Sequence, residues 1–317
     1  MTTRFQLLMS CVLTVTLCAG MTWLYQDNVT GLEPPSTSHV KPIQYPGLEH
    51  VVTFHDDLYS GAKPDGDMGM TSLAALGIRA IICVDGVAPD VEAARQHGIR
   101  TIHIPLKYSA PTRMQILDLA VAFSTQREQG RVYVHCHHGM HRSSAAAALI
   151  LRSLDLASTE ELKQRMAIAG TSPHYHGLWD AVDQQTIIQR PDLAAHDTVL
   201  PSAVYPRGIT AQMTALDEAL DRLRLVKDAH WNVPPSHPDL SPAADAGALA
   251  ETFRFMQLDP DHQYAQLEYR QSLDRALKQA LAFEQDLASG MTQATRLEQH
   301  LQRVEQSCID CHADWRK

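Results

Sequence analysis

The sequence predicts a multidomain chain. An α/β domain, with a central, mostly parallel sheet flanked by helices, precedes an all-α four-helix bundle, and an N-terminal hydrophobic anchor or signal peptide leads both. Three observations carry this reading. Residues 5–25 hold no charged side chain and are mostly apolar. Residues 48–190 alternate short continuous apolar runs with helical segments, the pattern of strands buried on both faces. Residues 208–317 space their apolar side chains by three and four, one face of a helix repeated. The expected layout is an anchor or signal peptide at 1–26, a linker at 27–47, the α/β domain at 48–190, a second linker at 191–207 and the bundle at 208–317.

Composition bounds the function. The 317 residues are a prior for two domains, and 44% hydrophobic residues exclude global disorder. With 27 basic against 36 acidic residues the net charge is −9, which argues against a general nucleic-acid binder. Six cysteines over this length are no disulfide scaffold, so their positions matter more than their number.

The N-terminal run of 21 residues, at ~1.5 Å rise each, just spans a ~30 Å hydrocarbon core. Arg4 precedes it, Asp27 follows it, and Trp23 and Tyr25 fall at the interface level. The alternative is a signal peptide cleaved near the small residues Ala19 and Gly20. Either way the remainder is expected to be periplasmic or extracytoplasmic, and the uncleaved form would be anchored to the inner membrane. Cys11 and Cys18 read as ordinary apolar residues of this segment. The following stretch is rich in Pro, Ser and Thr and reads as a tether.

In the α/β domain, strands are expected at 80–84, 101–104 and 131–135. Helices are expected at 70–76, 89–97, 112–129, 145–154 and 159–169, the first three capped by Gly77, Gly98 and Gly130. Cys83 lies within the first of these strands and reads as a small core residue. Residues 170–176 read as a turn.

The third strand runs into His135, Cys136, His137, His138, Gly139, Met140, His141, Arg142, Ser143 and Ser144. A strand, a tight loop and a helix N-terminus form an anion site, because loop N–H groups converge and the helix dipole favours negative charge. Cys136 opens that loop, where the same donors favour its thiolate as a nucleophile. The Arg142 guanidinium can grip two phosphate oxygens, and the Ser143 hydroxyl lies within reach of the sulfur. A Cys, five residues, then Arg-Ser resembles the phosphate loop of the cysteine-dependent protein tyrosine and dual-specificity phosphatases. Residues 58–64 and 76–82 resemble the opening of small bacterial enzymes of that type, and the likeness covers about 48–190. The resemblance implies hydrolysis of a phosphoester through a cysteinyl-phosphate. It also implies an Asp general acid after the preceding strand, yet residues 104–110 hold no carboxylate. Asp85, His138 and His141 are the substitutes, with Asp85 equally readable as a turn or capping residue.

Beyond 191–207 the apolar residues Ile209, Met213, Leu216, Leu220 and Leu223 mark a first helix. Helices at 243–258, 261–289 and 291–315 complete a bundle. Cys308, Cys311 and His312 form Cys-x-x-Cys-His, the pattern that attaches c-type haem: both thiols add to its vinyl groups and the His binds the iron. This region resembles cytochrome c-prime and related four-helix cytochromes, which place the motif on the last helix. The resemblance implies one covalent haem c, with His312 and Met213 as axial ligands and Arg316, and Arg270 with it, near the propionates. Met213 is equally readable as core filling.

The leading expectation is an exported phosphatase-like enzyme fused to a haem domain that transfers electrons or senses redox state or a gas. The alternative is a periplasmic electron carrier with a non-catalytic phosphate-binding module. The partners expected are a phosphorylated substrate, redox proteins and the membrane, with no nucleic acid.

Overall fold

The continuous apolar run at the end of the α/β domain forms the central strand, β6 (Arg131–Cys136). It lies between β3 (Leu58–Ala62) and β4 (Ile78–Cys83), and both pair with it in parallel. β5 (Arg100–His103) pairs with β4 in parallel. β2 (Leu48–His55) extends the other side antiparallel to β3, and β1 (Ile43–Tyr45) is antiparallel to β2. The order is β1-β2-β3-β6-β4-β5. The sheet is therefore mixed, with its parallel half around the site. The computed structural model describes residues 32–315, except 35, 197, 205–207, 236, 238–239 and 259–265. The N-terminal segment 5–25, with Cys11 and Cys18, lies outside the described residues, as does Arg316. Among the described residues, no helix is long and apolar enough to cross a membrane.

Side chains alternate along the strands, so each face of the sheet has its own core. Ala80, Ile82, Val132, Val134 and Cys136 face one side, whereas Ile81, Cys83 and Tyr133 face the other with Leu73 and Ala94. Helices α1 (Gly66–Ala75) and α2 (Val91–Gln96) cover the second face. α3 (Arg113–Gln126) and α4 (Arg142–Ser153) cover the first, joined by α5 (Thr159–Ile168) and α6 (His176–Gln184). α3 starts with a reciprocal capping box between Thr112 and Gln115. α4 is buried almost throughout, and its run Ala145 to Ala148 keeps it slim enough to sit between the sheet and its neighbours.

The second region consists of α8 (Ile209–Asp228), α9 (Pro242–Leu258), α10 (Leu267–Ala288) and α11 (Ala294–Trp315). α9 packs against both α8 and α10, and α10 packs against α11. Asp286 on α10 holds Arg296 and His300 of α11, at 2.9 Å and 2.8 Å. The first core continues without a break into this region through Leu216, Leu249, Phe253 and Phe283.

Several elements differ from expectation. β1, β2 and β3 precede the strands that the apolar runs mark. β1 lies within the stretch read as a tether, and its exposed and half-buried side chains give no apolar run. α6 begins at His176, inside the predicted turn, because Leu178 and Val182 bury one face. A further short helix, α7 (Arg190–Ala195), occupies the start of the predicted linker. Pro191 lies in its first turn, which its fixed φ suits.

Candidate active site

The site grows from the register of three parallel strands. Cys136 is the last residue of β6, and its neighbour in β3 is Ala62. The chain then turns through His137 to His141 and enters α4 at Arg142. Gly139 makes this turn with φ +75°, and a Cβ there would run into the backbone of Ala62. Lys63 N–H bonds the His137 carbonyl at 3.2 Å, clamping the loop to the end of β3. Cys136 is buried, and its Sγ lies 3.4 Å from Ser143 Oγ. The structure thus brings Cys136, Arg142 and Ser143 together at one strand end.

Arg142 is only 1% exposed, so its charge must be matched from within. Nη1 donates to the Leu106 carbonyl at 3.2 Å and to Glu251 Oε1. Nη2 donates to Asp85 Oδ1 at 3.2 Å and to the Tyr108 hydroxyl at 3.4 Å, while the guanidinium lies over the Tyr108 ring at 4.4 Å. Nε is buried with no hydrogen-bond partner among the described residues. The fork is therefore fixed by protein groups on its two Nη atoms, and Nε is left as an unused buried donor.

Asp85, at the end of β4, is 2% exposed and also pairs with Arg254 Nη1 at 3.1 Å. Burial pushes its carboxyl up, but Arg142 and Arg254 outweigh burial and hold it well below the usual carboxylate range. In this arrangement Asp85 is the counter-ion of two arginines, and a carboxyl held ionised has no proton to donate. His138 and His141 are no better. Burial lowers both, His141 to about 3, and His141 Nδ1 accepts the Ser172 N–H at 3.3 Å. His137 is lowered to about 3 and lies 3.9 Å from Asp85. The loop histidines are thus neutral at pH 7, in contact with one another and with Tyr175 rather than gathered on an ion.

Residues 59–154 match the family model Tc-R-P, described as "Polymorphic toxin system, DSP-PTPase phosphatase". That stretch is similar to a phosphatase domain of the dual-specificity type. Solved structures similar to the chain include P. aeruginosa TpbA, 16% identical, covering 47% of this chain and 92% of that one at a TM-score of 0.41. The kinase associated phosphatase KAP is 18% identical, covering 49% and 98% at 0.38. PTPMT1, solved in complex with PI(5)P, is 16% identical, covering 47% and 100% at 0.37. No curated protein matches the chain.

The α/β domain does not complete this cluster by itself. Glu251 and Arg254 come from α9, in the helical region, and the Gly86 N–H donates to Glu251 Oε1 at 2.5 Å. A Cβ at Gly86 would strike that carboxylate. Gly247 on α9 is likewise required: a Cβ there would lie 2.8 Å from both the Tyr108 ring and Glu284 Oε1. Tyr175 donates to Glu284 at 3.2 Å and Ser172 to the Ala288 carbonyl at 2.6 Å, tying α6 and the turn before it to α10. Sequence reasoning missed Glu251 and Arg254, because no local pattern marks residues whose partners lie more than a hundred positions away.

The cysteines of α11 border a different space. Cys308, Cys311 and His312 line a cavity of about 430 Å³ with Met213, Leu216 and Leu220 of α8, Phe253 and Met256 of α9, and Leu273 and Ala276 of α10. Neither cysteine is in a disulfide, and both are half-buried. Arg224 of α8 bonds Glu305 of α11 at 2.8 Å beside it. Met213 and His312 thus border one mostly apolar space, a donor set that fits a planar apolar macrocycle with two thiol attachments. Among the described residues, no group of three or more His, Cys, Asp or Glu side chains could hold a metal ion by itself.

Proposed function

We propose that the chain is a cysteine-dependent phosphatase joined to a covalent-haem bundle and exported across the inner membrane. The observation that carries the first part is the pairing of Cys136 with Ser143 at 3.4 Å, beside a buried, fully oriented Arg142 with a donor to spare. Cys136 attacks phosphorus. Loop N–H groups and Arg142 hold the phosphoryl oxygens as charge builds on them, which is where fixed donors act most strongly. Ser143 hydrogen-bonds the sulfur, which favours its departure when water cleaves the cysteinyl-phosphate. The neutral loop histidines add no competing positive charge.

For the bundle, Cys308 and Cys311 would hold the haem c covalently, His312 would bind its iron and Met213 would border the opposite wall. Such a group supplies one-electron chemistry or binds a small gas. What supports this is the Cys-x-x-Cys-His pattern together with the shared cavity. The uncharged segment 5–25 supports export and anchoring, and redox proteins are the partners that a haem bundle would meet. The test of the phosphatase reading is steady-state hydrolysis of aryl phosphates by the purified chain. Activity lost at least about 10³-fold in Cys136→Ser is expected. Equal activity in that variant, or no hydrolysis by the unaltered chain, contradicts the reading and favours an electron carrier with a passive phosphate-binding module.

A further inference from the structure

Cleavage of a phosphoester needs a proton for the departing oxygen, since an alkoxide or phenoxide is a poor leaving group. None of the groups that sequence reasoning offers can give one: Asp85 is held ionised, and His138 and His141 are held neutral. Resting on the phosphatase reading above, we infer that Glu251, delivered by α9 of the helical region, is the general acid of this centre.

Three features of the geometry carry the inference. First, Glu251 Oε1 accepts from Arg142 Nη1 and from the Gly86 N–H, so the carboxyl sits across one guanidinium from the phosphate that Nε would hold. Second, Glu251 borders a cleft of about 660 Å³ whose other walls include Leu106, Lys107, Ser109 and Thr112. This is the loop after β5, where the resemblance places an acid that this chain lacks. Glu251 is 14% exposed, whereas Asp85 at 2% is sealed behind the arginine. Third, Glu251 and Asp85 are held on the two Nη atoms of one guanidinium, so their carboxyl groups lie side by side. Two carboxyl groups in contact share one proton. The two arginines on Asp85 leave that proton on Glu251, whose carboxyl burial pushes up. A phosphate dianion arriving on Arg142 adds a further negative charge beside Glu251 and strengthens its hold on the proton.

The step balances. Cys136 Sγ forms a bond to phosphorus, the bond from phosphorus to the leaving oxygen breaks, and the Glu251 proton goes to that oxygen. Glu251, now a carboxylate, takes a proton from the water that attacks the cysteinyl-phosphate. The sulfur–phosphorus bond then breaks, returning the thiolate and inorganic phosphate.

The experiment compares Glu251→Gln with the unaltered chain on two substrates, 4-nitrophenyl phosphate and phenyl phosphate. The amide keeps an oxygen acceptor for Arg142 and Gly86 but has no acidic proton. Phenyl phosphate, with the poorer leaving group, should lose about 10²-fold in kcat, 4-nitrophenyl phosphate under about tenfold, and KM should change little for either. Glu251→Asp should recover part of the loss. Equal losses on both substrates would overturn the inference in favour of Glu251 merely positioning Arg142. Faster turnover would overturn it in favour of a carboxylate that blocks the site. Should Glu251→Gln fail to fold, the unaltered chain decides on its own. With acid catalysis its kcat/KM varies shallowly across aryl phosphates of falling leaving-group acidity, and a steep dependence contradicts it. Hydrolysis that needs Cys136 but ignores Glu251→Gln removes only this inference. No Cys136-dependent hydrolysis at all removes the phosphatase reading with it.

Discussion

Cys136 sits at the end of a buried strand, 3.4 Å from Ser143 Oγ, at the start of a loop that leads to an arginine whose charge is matched from three directions. Cys308 and Cys311 sit on one face of a long helix and look into a space walled mainly by Leu, Phe, Met and Ala side chains. The first environment gathers buried charged and polar groups around a cysteine. The second offers apolar area, bordered by Asp217, Arg224, Glu305, two serines and His312. Yet the two share a wall. α9 turns Glu251 and Arg254 toward Asp85 and Arg142, and one step around its axis it turns Phe253 and Met256 toward the cavity. The two places thus lie on two faces of one helix.

The sharpest way to break this contrast is to remove the thiols on one side only. Cys308→Ala with Cys311→Ala should abolish covalent haem, so that acidified organic solvent extracts all haem from the variant and none from the unaltered chain. Phosphate-ester turnover should survive in the variant. Haem extracted freely from the unaltered chain would remove the cofactor from the account.

Next in size is acid sensitivity, which belongs to the α/β side. Burial depresses His135 to about 4 and His141 to about 3, against 6.5 for an open chain. Both groups are neutral in the folded state, while the unfolded chain takes up protons below pH 6.5. Stability is therefore complete above that value and falls as the pH drops from 6.5 toward 4 and 3. At pH 5 the loss should be up to about 2 kcal/mol for each histidine, read from urea midpoints. His141→Asn should flatten the slope.

Glycine 247 tests the shared wall itself. Gly247→Val drives a side chain into Tyr108 and Glu284, and should cost about 1–3 kcal/mol. It should also lower phosphatase turnover by displacing Glu251. The smallest effect is expected from Tyr175→Phe, which removes the bond to Glu284 for about 1 kcal/mol and leaves the stack on Tyr108 in place.

What could be read from the chain follows from the range of the interactions. The phosphate loop was legible because strand, turn and helix N-terminus are contiguous, and Cys136, Arg142 and Ser143 lie within eight positions. The parallel strands β4, β5 and β6 were legible as apolar runs, since both of their faces are buried. β1 was not, because it is an edge strand with half-exposed side chains that carries no such run. The role of Asp85 could not be judged locally, for its state depends on Arg254, 169 positions away. Glu251 was invisible for the same reason. It is one of two acidic residues in its helix until the fold sets it against Gly86 and Arg142.

The most direct test is to catch the covalent intermediate. The unaltered chain, mixed with excess aryl phosphate and quenched in acid within the first turnovers, should carry one added phosphate on the peptide containing Cys136, and Cys136→Ser should carry none. Product formation without any phosphate on that peptide would contradict the account.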